Sequence, residues 1–245
     1  MKKAAIIALA LTLTIFASCK EEEQTPKVIY ENTKEAKVQP KKEDSTAIKV
    51  ADLPIHMEGT KYLIYPVGDV RLYDGGNSSS SYGSSRANSA VSYEISNYNR
   101  FEITGYFENL KFQHVDSTAL HSLTDLKIQI QTATYLSTVA EKTKQQLLIY
   151  TLVDADTNKD GKVDSDDIKS LYISDISGKG FKKLSGNMQE LVDWNLIEAQ
   201  NRIYFRTIED INKNGAFDKN DKMHYQYADL MSPEWAVKAY EPVAP

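Results

Sequence analysis

The sequence predicts a mostly β protein made of antiparallel sheets stacked in sandwich-like units. Three observations lead there. The chain carries 15 Tyr against seven Phe and two Trp, and tyrosine suits the half-buried, pleated surface of a strand. From Lys61 onward, short apolar and aromatic runs recur with turn residues between them. Beyond the first twenty residues, no stripe of apolar residues at i, i+3, i+4 and i+7 is long enough for an extended amphipathic helix.

Met1-Lys2-Lys3 is a basic start, and Ala4 to Ala17 is a mostly apolar run. That is the length of a signal h-region and too short for a permanent transmembrane helix. Cys19, the only Cys, follows directly on Ala17-Ser18. Residues 1–18 are therefore read as a signal peptide, whose removal takes away Lys2 and Lys3 and moves the formal charge from −5 to −7. From residue 19 to about 50 the chain is rich in Lys, Glu, Gln, Thr and Pro and low in aromatics. Such a stretch cannot bury enough apolar surface to offset the entropy of ordering, so 19–50 reads as a flexible, disordered tether. The folded domain is then 51–245.

In that domain, alternation is clearest in Val91–Ile95, Phe101–Thr104, Leu126–Thr132 and Met223–Tyr227, and weaker in Leu110–Val115 and Arg202–Ile208. These are strands with one wet face. Tyr62–Tyr65, Leu147–Val153 and Leu171–Ile173 are continuous runs that suit strands buried on both faces. Short helices are expected at Asp167–Ser170, Asn187–Val192 and Ser232–Trp235, the last with Ser as cap and Pro at the first helical position. Asp74–Ser85, with Gly or Ser at most positions, reads as a surface loop; it has neither Gly-x-Ser-x-Gly nor phosphate-loop spacing.

Composition narrows the function classes. With 29 basic and 34 acidic residues the chain lacks the basic footprint of a nucleic-acid binder. One Cys and four His exclude a disulfide scaffold and a thiolate zinc site. His114 and Asp116 share a strand face and His121 lies beyond a turn, a pattern more often structural than ligating. Trp194 and Trp235 read as core residues, with a sugar-stacking role as the alternative. No acid–base pair or nucleophile stands out, so no enzymatic activity is expected.

Two twelve-residue stretches carry the chemistry. The first runs Asp156-Thr-Asn158-Lys-Asp160-Gly161-Lys162-Val163-Asp164-Ser-Asp166-Asp167. The second runs Asp210-Ile-Asn212-Lys-Asn214-Gly215-Ala216-Phe217-Asp218-Lys-Asn-Asp221. Asp, Asn and Gly are also ordinary turn residues, but two stretches agreeing at positions one, three, five, six, eight, nine and twelve exceed what turn composition supplies. Both resemble the EF-hand calcium loop in its dockerin-like variant, with Asp at position twelve. The resemblance implies two Ca2+ sites. Their ligands would be Asp156, Asn158, Asp160, the Lys162 carbonyl, Asp164 and Asp167 in one, and Asp210, Asn212, Asn214, the Ala216 carbonyl, Asp218 and Asp221 in the other. Gly161 and Gly215 permit the bend, and Val163 and Phe217 at position eight are expected to turn into the core. A register starting at Asp154 puts Lys159 at the bend and is rejected.

The loops start 54 residues apart, at 156 and 210. At the same offset Ile149-Tyr150 matches Ile203-Tyr204, and Leu171, Ile173, Asp175 and Ile176 match Tyr225, Tyr227, Asp229 and Leu230. The unit is strand, loop, strand, in repeats of about 128–184 and 185–240. Leu171 to Ser185 resembles the outer half of a blade in Tol-type β-propellers, which implies blade-like units joined by long calcium-loop hairpins; too little chain remains for six such blades.

Phe16-Ala17-Ser18-Cys19 resembles the lipobox of bacterial lipoproteins in the relaxed form found in the Bacteroidota, with Phe16 in place of the usual Leu. Cys19-Lys20-Glu21-Glu22-Glu23 resembles the acidic tag of their surface-exposed members. An ordinary secretory signal with an incidental Cys is the alternative. The resemblance implies a palmitate-bearing Cys19 inserted in outer-membrane lipid, with the domain at the cell surface. Asp44-Ser-Thr46 and Asp116-Ser-Thr118 are similar to the O-glycosylation sequon of the same group. The expected function is a membrane-anchored calcium-binding lipoprotein with a binding or accessory role toward a glycan or another envelope protein. The alternatives are a periplasmic component with a Tol-type interaction surface, and a hydrolase with an unrecognised site.

Overall fold

The computed structural model describes residues 26–30, 48–70, 93–232 and 234–243. The signal segment, Cys19, the 74–85 loop and the sequon at Asp44–Thr46 lie outside the described residues.

The strands in chain order are β1 (Lys49–Ala51), β2 (Ile55–His56), β3 (Tyr62–Asp69), β4 (Ser96–Asn99), β5 (Glu102–Phe107), β6 (Asn109–His114), β7 (His121–Ser122) and β8 (Gln129–Tyr135). After helix α1 (Ser137–Thr143) come β9 (Leu147–Val153), β10 (Lys169–Asp175), β11 (Lys182–Lys183), β12 (Gln189–Ile197), β13 (Arg202–Glu209), β14 (Lys222–Asp229) and β15 (Val237–Ala239). They form three antiparallel sheets: β1-β3-β6-β7 with β2 on β3, then β11-β10-β9-β8-β5-β4, then β12-β13-β14-β15. None closes into a barrel. The fold is mostly β, as expected. None of the helices in the described residues is long and apolar enough to cross a membrane.

The second sheet is the middle layer, because it feeds two separate cores. Along β9 the side chains alternate: Leu148, Tyr150 and Leu152 join a core with Ile64, Leu110 and Phe112 of the first sheet and Phe107 of β5. Leu147 and Ile149 join another core with Leu191, Ile203, Phe205 and Ala228 of the third sheet. Every residue of β9 is buried, as is the centre of β10, which accounts for their unbroken apolar runs. Buried polar groups on these strands are paired. The Tyr150 hydroxyl lies 2.7 Å from Ser174 Oγ, and Thr132 and Thr151 hydroxyls lie 2.8 Å apart. Burial drives the Tyr150 phenol far above its ordinary pKa.

Both repeat units fold as four-stranded meanders, β8 to β11 and β12 to β15. The β9–β10 hairpin pairs Leu147 with Asp175 at one end and Val153 with Lys169 at the other, and the first twelve-residue stretch lies in the connection. The β13–β14 hairpin closes at Glu209 and Lys222, immediately around the second stretch.

Several expectations need correction. In Tyr62–Tyr65 only Ile64 is buried, and β3 alternates between half-buried and buried positions from Leu63 onward, because it lies in an outer sheet with one face toward the core. Residues 93–95 are irregular, and the strand begins at Ser96. Asn187–Val192 feeds β12 rather than a helix, Asp167–Ser170 runs into β10, and the described residues around Ser232–Trp235 form a turn. Strand pairing overrides weak local helix preference at the first two. The α-helix among the described residues, α1, carries no amphipathic signal in the sequence; it buries Val139 and ends on Lys144 in the left-handed region. Trp194 and Trp235 pack at the margin of the second core and stay partly exposed.

The segment read as a tether also needs correction at residues 26–30. Val28 is 2% exposed, and its neighbours bond to both twelve-residue loops. Val28-Ile29-Tyr30 is the one run of three apolar or aromatic residues between 20 and 50, which gives that stretch a local reason to dock.

Candidate metal centre

Each loop is organised by its own side chains. In the first, the Asp156 carboxylate accepts the Asp160 and Gly161 amides at 3.1 and 2.8 Å. Asn158 Oδ1 accepts the Asp160 amide at 2.9 Å, and Asp160 Oδ1 the Lys162 amide at 2.9 Å. Asp164 accepts the Asp166 amide at 3.0 Å. Asp167 accepts the Thr157, Asn158 and Asp164 amides at 2.6, 3.0 and 3.1 Å.

The second loop repeats this pattern 54 residues on at positions one, three, five and nine, while at position twelve Asp221 takes the Asn212 side-chain amide at 3.4 Å where Asp167 takes the Thr157 and Asn158 backbone amides. Asp210 accepts the Asn214 and Gly215 amides at 3.2 and 2.8 Å. Asn212 accepts the Asn214 amide at 2.9 Å and Asn214 the Ala216 amide at 2.8 Å. Asp218 accepts the Asn220 amide at 2.7 Å, and Asp221 the Asp218 amide at 2.8 Å. The backbone repeats as well: positions four and six take positive φ in both loops, at Lys159 and Gly161 (58° and 88°) and at Lys213 and Gly215 (57° and 84°). Glycine at six meets that demand without a Cβ penalty; the lysines at four do not have that freedom and are held there by the surrounding bonds.

The side chains at positions one, three, five, nine and twelve of each stretch are thus wound into one turn, each accepting at least one loop backbone amide. The donor set is all oxygen, the chemistry of a hard divalent cation. Among the described residues no three His, Cys, Asp or Glu side chains converge on one point; the loops also offer Asn amides and backbone carbonyls, and calcium uses all of these.

The first loop is the more buried. Asn158, Asp160 and Asp167 are each under a tenth exposed, with Asp167 at 0%; in the second loop only Asp210, at 3%, is comparably buried among the ligands. Burial raises the Asp167 carboxyl above its ordinary pKa, with the amides of Asn158, Asp164 and Thr157 opposing. Those donors are neutral, and a cation in the ring would reverse the shift. At the second loop the Tyr30 hydroxyl hydrogen-bonds the Asp210 carboxylate. Burial and then that negative field push the Tyr30 phenol up to about 12.

Position eight does not behave as expected. Val163 and Phe217 are half-buried and belong to neither core; Val163 instead lines a surface cavity of about 550 Å³ with Lys49, Lys111 and Lys127. A loop that caps a hairpin projects beyond the sheet layers, so its apolar residue has no interior to enter. Asp154, the rejected start, is a base anchor: it accepts Lys183 Nζ at 2.6 Å and the Tyr172 hydroxyl at 2.7 Å. Sequence reasoning missed that role, because both partners arrive from beyond the loop.

The histidines are structurally engaged. His56 lies 2.9 Å from the Thr60 carbonyl, His121 2.7 Å from the Ser177 carbonyl and His224 2.7 Å from Glu209. His114 accepts the Asp116 amide at 3.2 Å. Thr118 of the second sequon is exposed after β6. Compared with protein-family models, with curated proteins and with solved structures, the chain matches none.

Proposed function

We propose that this chain is a calcium-binding protein anchored to the outer membrane by a lipidated Cys19, with a non-catalytic binding or accessory role at the cell surface. One observation carries the calcium reading: two loops 54 residues apart make the same side-chain-to-amide bonds from positions one, three, five and nine and take positive φ at the same two positions. Chance turn composition supplies no reason for such agreement. Asp156, Asn158, Asp160, Asp164 and Asp167 would hold one ion with the Lys162 carbonyl. Asp210, Asn212, Asn214, Asp218 and Asp221 would hold the other with the Ala216 carbonyl. The cation contributes charge neutralisation and stiffness to two long hairpin connections. The partner is a glycan or another envelope protein, and a glycan array separates these two.

Calorimetric titration of the full chain is expected to give two calcium ions per molecule. Dissociation constants of about 10⁻⁴–10⁻³ M suffice outside the cytosol. Fewer than one ion bound at millimolar calcium would reduce both loops to polar turns. The anchor is tested separately: Cys19→Ser is expected to abolish palmitate incorporation and membrane retention, since the acyl chains supply the anchoring free energy. Retention of label after that change would sink the lipoprotein reading.

A further inference from the structure

The two loops hold one short piece of chain between them. The Lys27 and Val28 amides donate to the Gly215 carbonyl at 2.9 and 3.3 Å, and the Ile29 amide donates to the Thr157 carbonyl at 2.9 Å. The Thr157 hydroxyl donates to the Lys27 carbonyl at 2.7 Å. Lys27 Nζ reaches Glu190 at 2.9 Å, with the Asp167 carbonyl 3.5 Å away. Lys213 of the second loop stands 6.0 Å over the Tyr30 ring. The fit at the second loop is close: a Cβ at Gly215 would stand 2.5 Å from the Val28 carbonyl oxygen and 2.7 Å from Pro26 Cβ.

The residues that hold this segment are themselves held by ligand carboxylates. The Gly215 amide donates to Asp210, position one of its loop, at 2.8 Å. The Thr157 amide donates to Asp167, position twelve of its loop, at 2.6 Å. The first loop gathers four carboxylates at its ligand positions and the second three. Without a cation these repel within each ring, and more strongly where water is excluded. Any opening of the rings displaces Asp210 and Asp167, and with them both carbonyls to which the segment bonds.

We propose that residues 26–30 are a calcium-dependent strap, docked across both loops when they hold calcium and released when they lose it. The proposal rests on the calcium reading of the loops and adds a regulated element to it. Its consequence is a change of reach. Seven positions separate Cys19 from Pro26 and 30 separate it from Lys49; fully extended, these span at most about 25 and about 110 Å. With Cys19 in the membrane, a docked strap keeps the loops close to the lipid, and release lets the domain stand further out. By linkage, whatever calcium adds to strap docking, the strap adds to calcium affinity by the same factor.

Hydrogen exchange on the full chain in detergent tests this, read on the peptide spanning residues 26–30 in 5 mM calcium and in EDTA, with calorimetric calcium titration alongside. The Lys27, Val28 and Ile29 amides are expected to exchange at least about tenfold more slowly in calcium, as amides released by local opening do when the opening is suppressed. Val28→Asp, which puts a charge in the buried strap position, is expected to keep both calcium ions but bind them at least about fivefold more weakly. Two ions bound with exchange unchanged between the buffers would overturn the strap and leave the calcium loops standing. Unchanged calcium affinity in Val28→Asp would do the same. Absence of calcium binding would overturn strap and loops together. If Val28→Asp does not fold, exchange in the unaltered chain decides.

Discussion

Ile149→Ala and Leu148→Ala are each expected to destabilise the protein by about 2–5 kcal/mol, the cost of emptying a well-packed core site. The two residues are adjacent in sequence and both are 0% exposed, yet they face different cores. Leu148 packs with Phe107, Leu110 and Phe112; Ile149 packs with Leu171, Ile203 and Phe205. Their strand is hydrogen-bonded on both edges, to β8 and to β10, so the backbone has little freedom to collapse into either cavity. Both variants should lower the urea midpoint with an unchanged slope. A cost below about 1 kcal/mol at either position would mean that the face concerned is not a closed core, and the middle-layer position of the second sheet would have to be given up.

Calcium is expected to stabilise the full chain by about 2.7 kcal/mol per site at a concentration one hundred times the dissociation constant. At about 2–4 °C per kcal/mol for a domain of this size, that is a rise of roughly 5–10 °C in Tm per loaded site. EDTA should reverse it. Asp156→Ala should forfeit more of the gain than Asp210→Ala, for two reasons. The first loop has an Asp at position five where the second has Asn214, and more negative charge in a similar ring binds a cation more tightly. It is also more shielded, with Asp167 fully buried, and attraction to the cation is stronger where water is excluded. A melting curve indifferent to calcium and EDTA, or equal losses in the two variants, would count against this ordering of the sites.

The two twelve-residue loops are legible in the amino-acid order because all their organising bonds are local. Asp156 reaches Asp160 and Gly161, and Asp167 reaches back no further than Thr157; such bonds form wherever the pattern occurs, so spacing is enough to find them. The same holds for the strands at Leu147–Val153 and Arg202–Ile208, whose apolar pattern matches the pleat they occupy. What the pattern could not show is which strands meet. That β9 serves two cores, that Val163 and Phe217 stay at the rim of the layers, and that Asp154 is held by Lys183 and Tyr172 all depend on pairings across long stretches of chain. The strap is the furthest case: Lys27 and Asp167 lie 140 residues apart. Val28-Ile29-Tyr30 is too short to signal structure by itself, and it bonds to Gly215 and Thr157, which belong to two different hairpins. Contacts within a dozen residues are written into local spacing, whereas contacts between distant segments are selected by the packing of the whole chain, where burial outweighs the entropy lost in bringing them together.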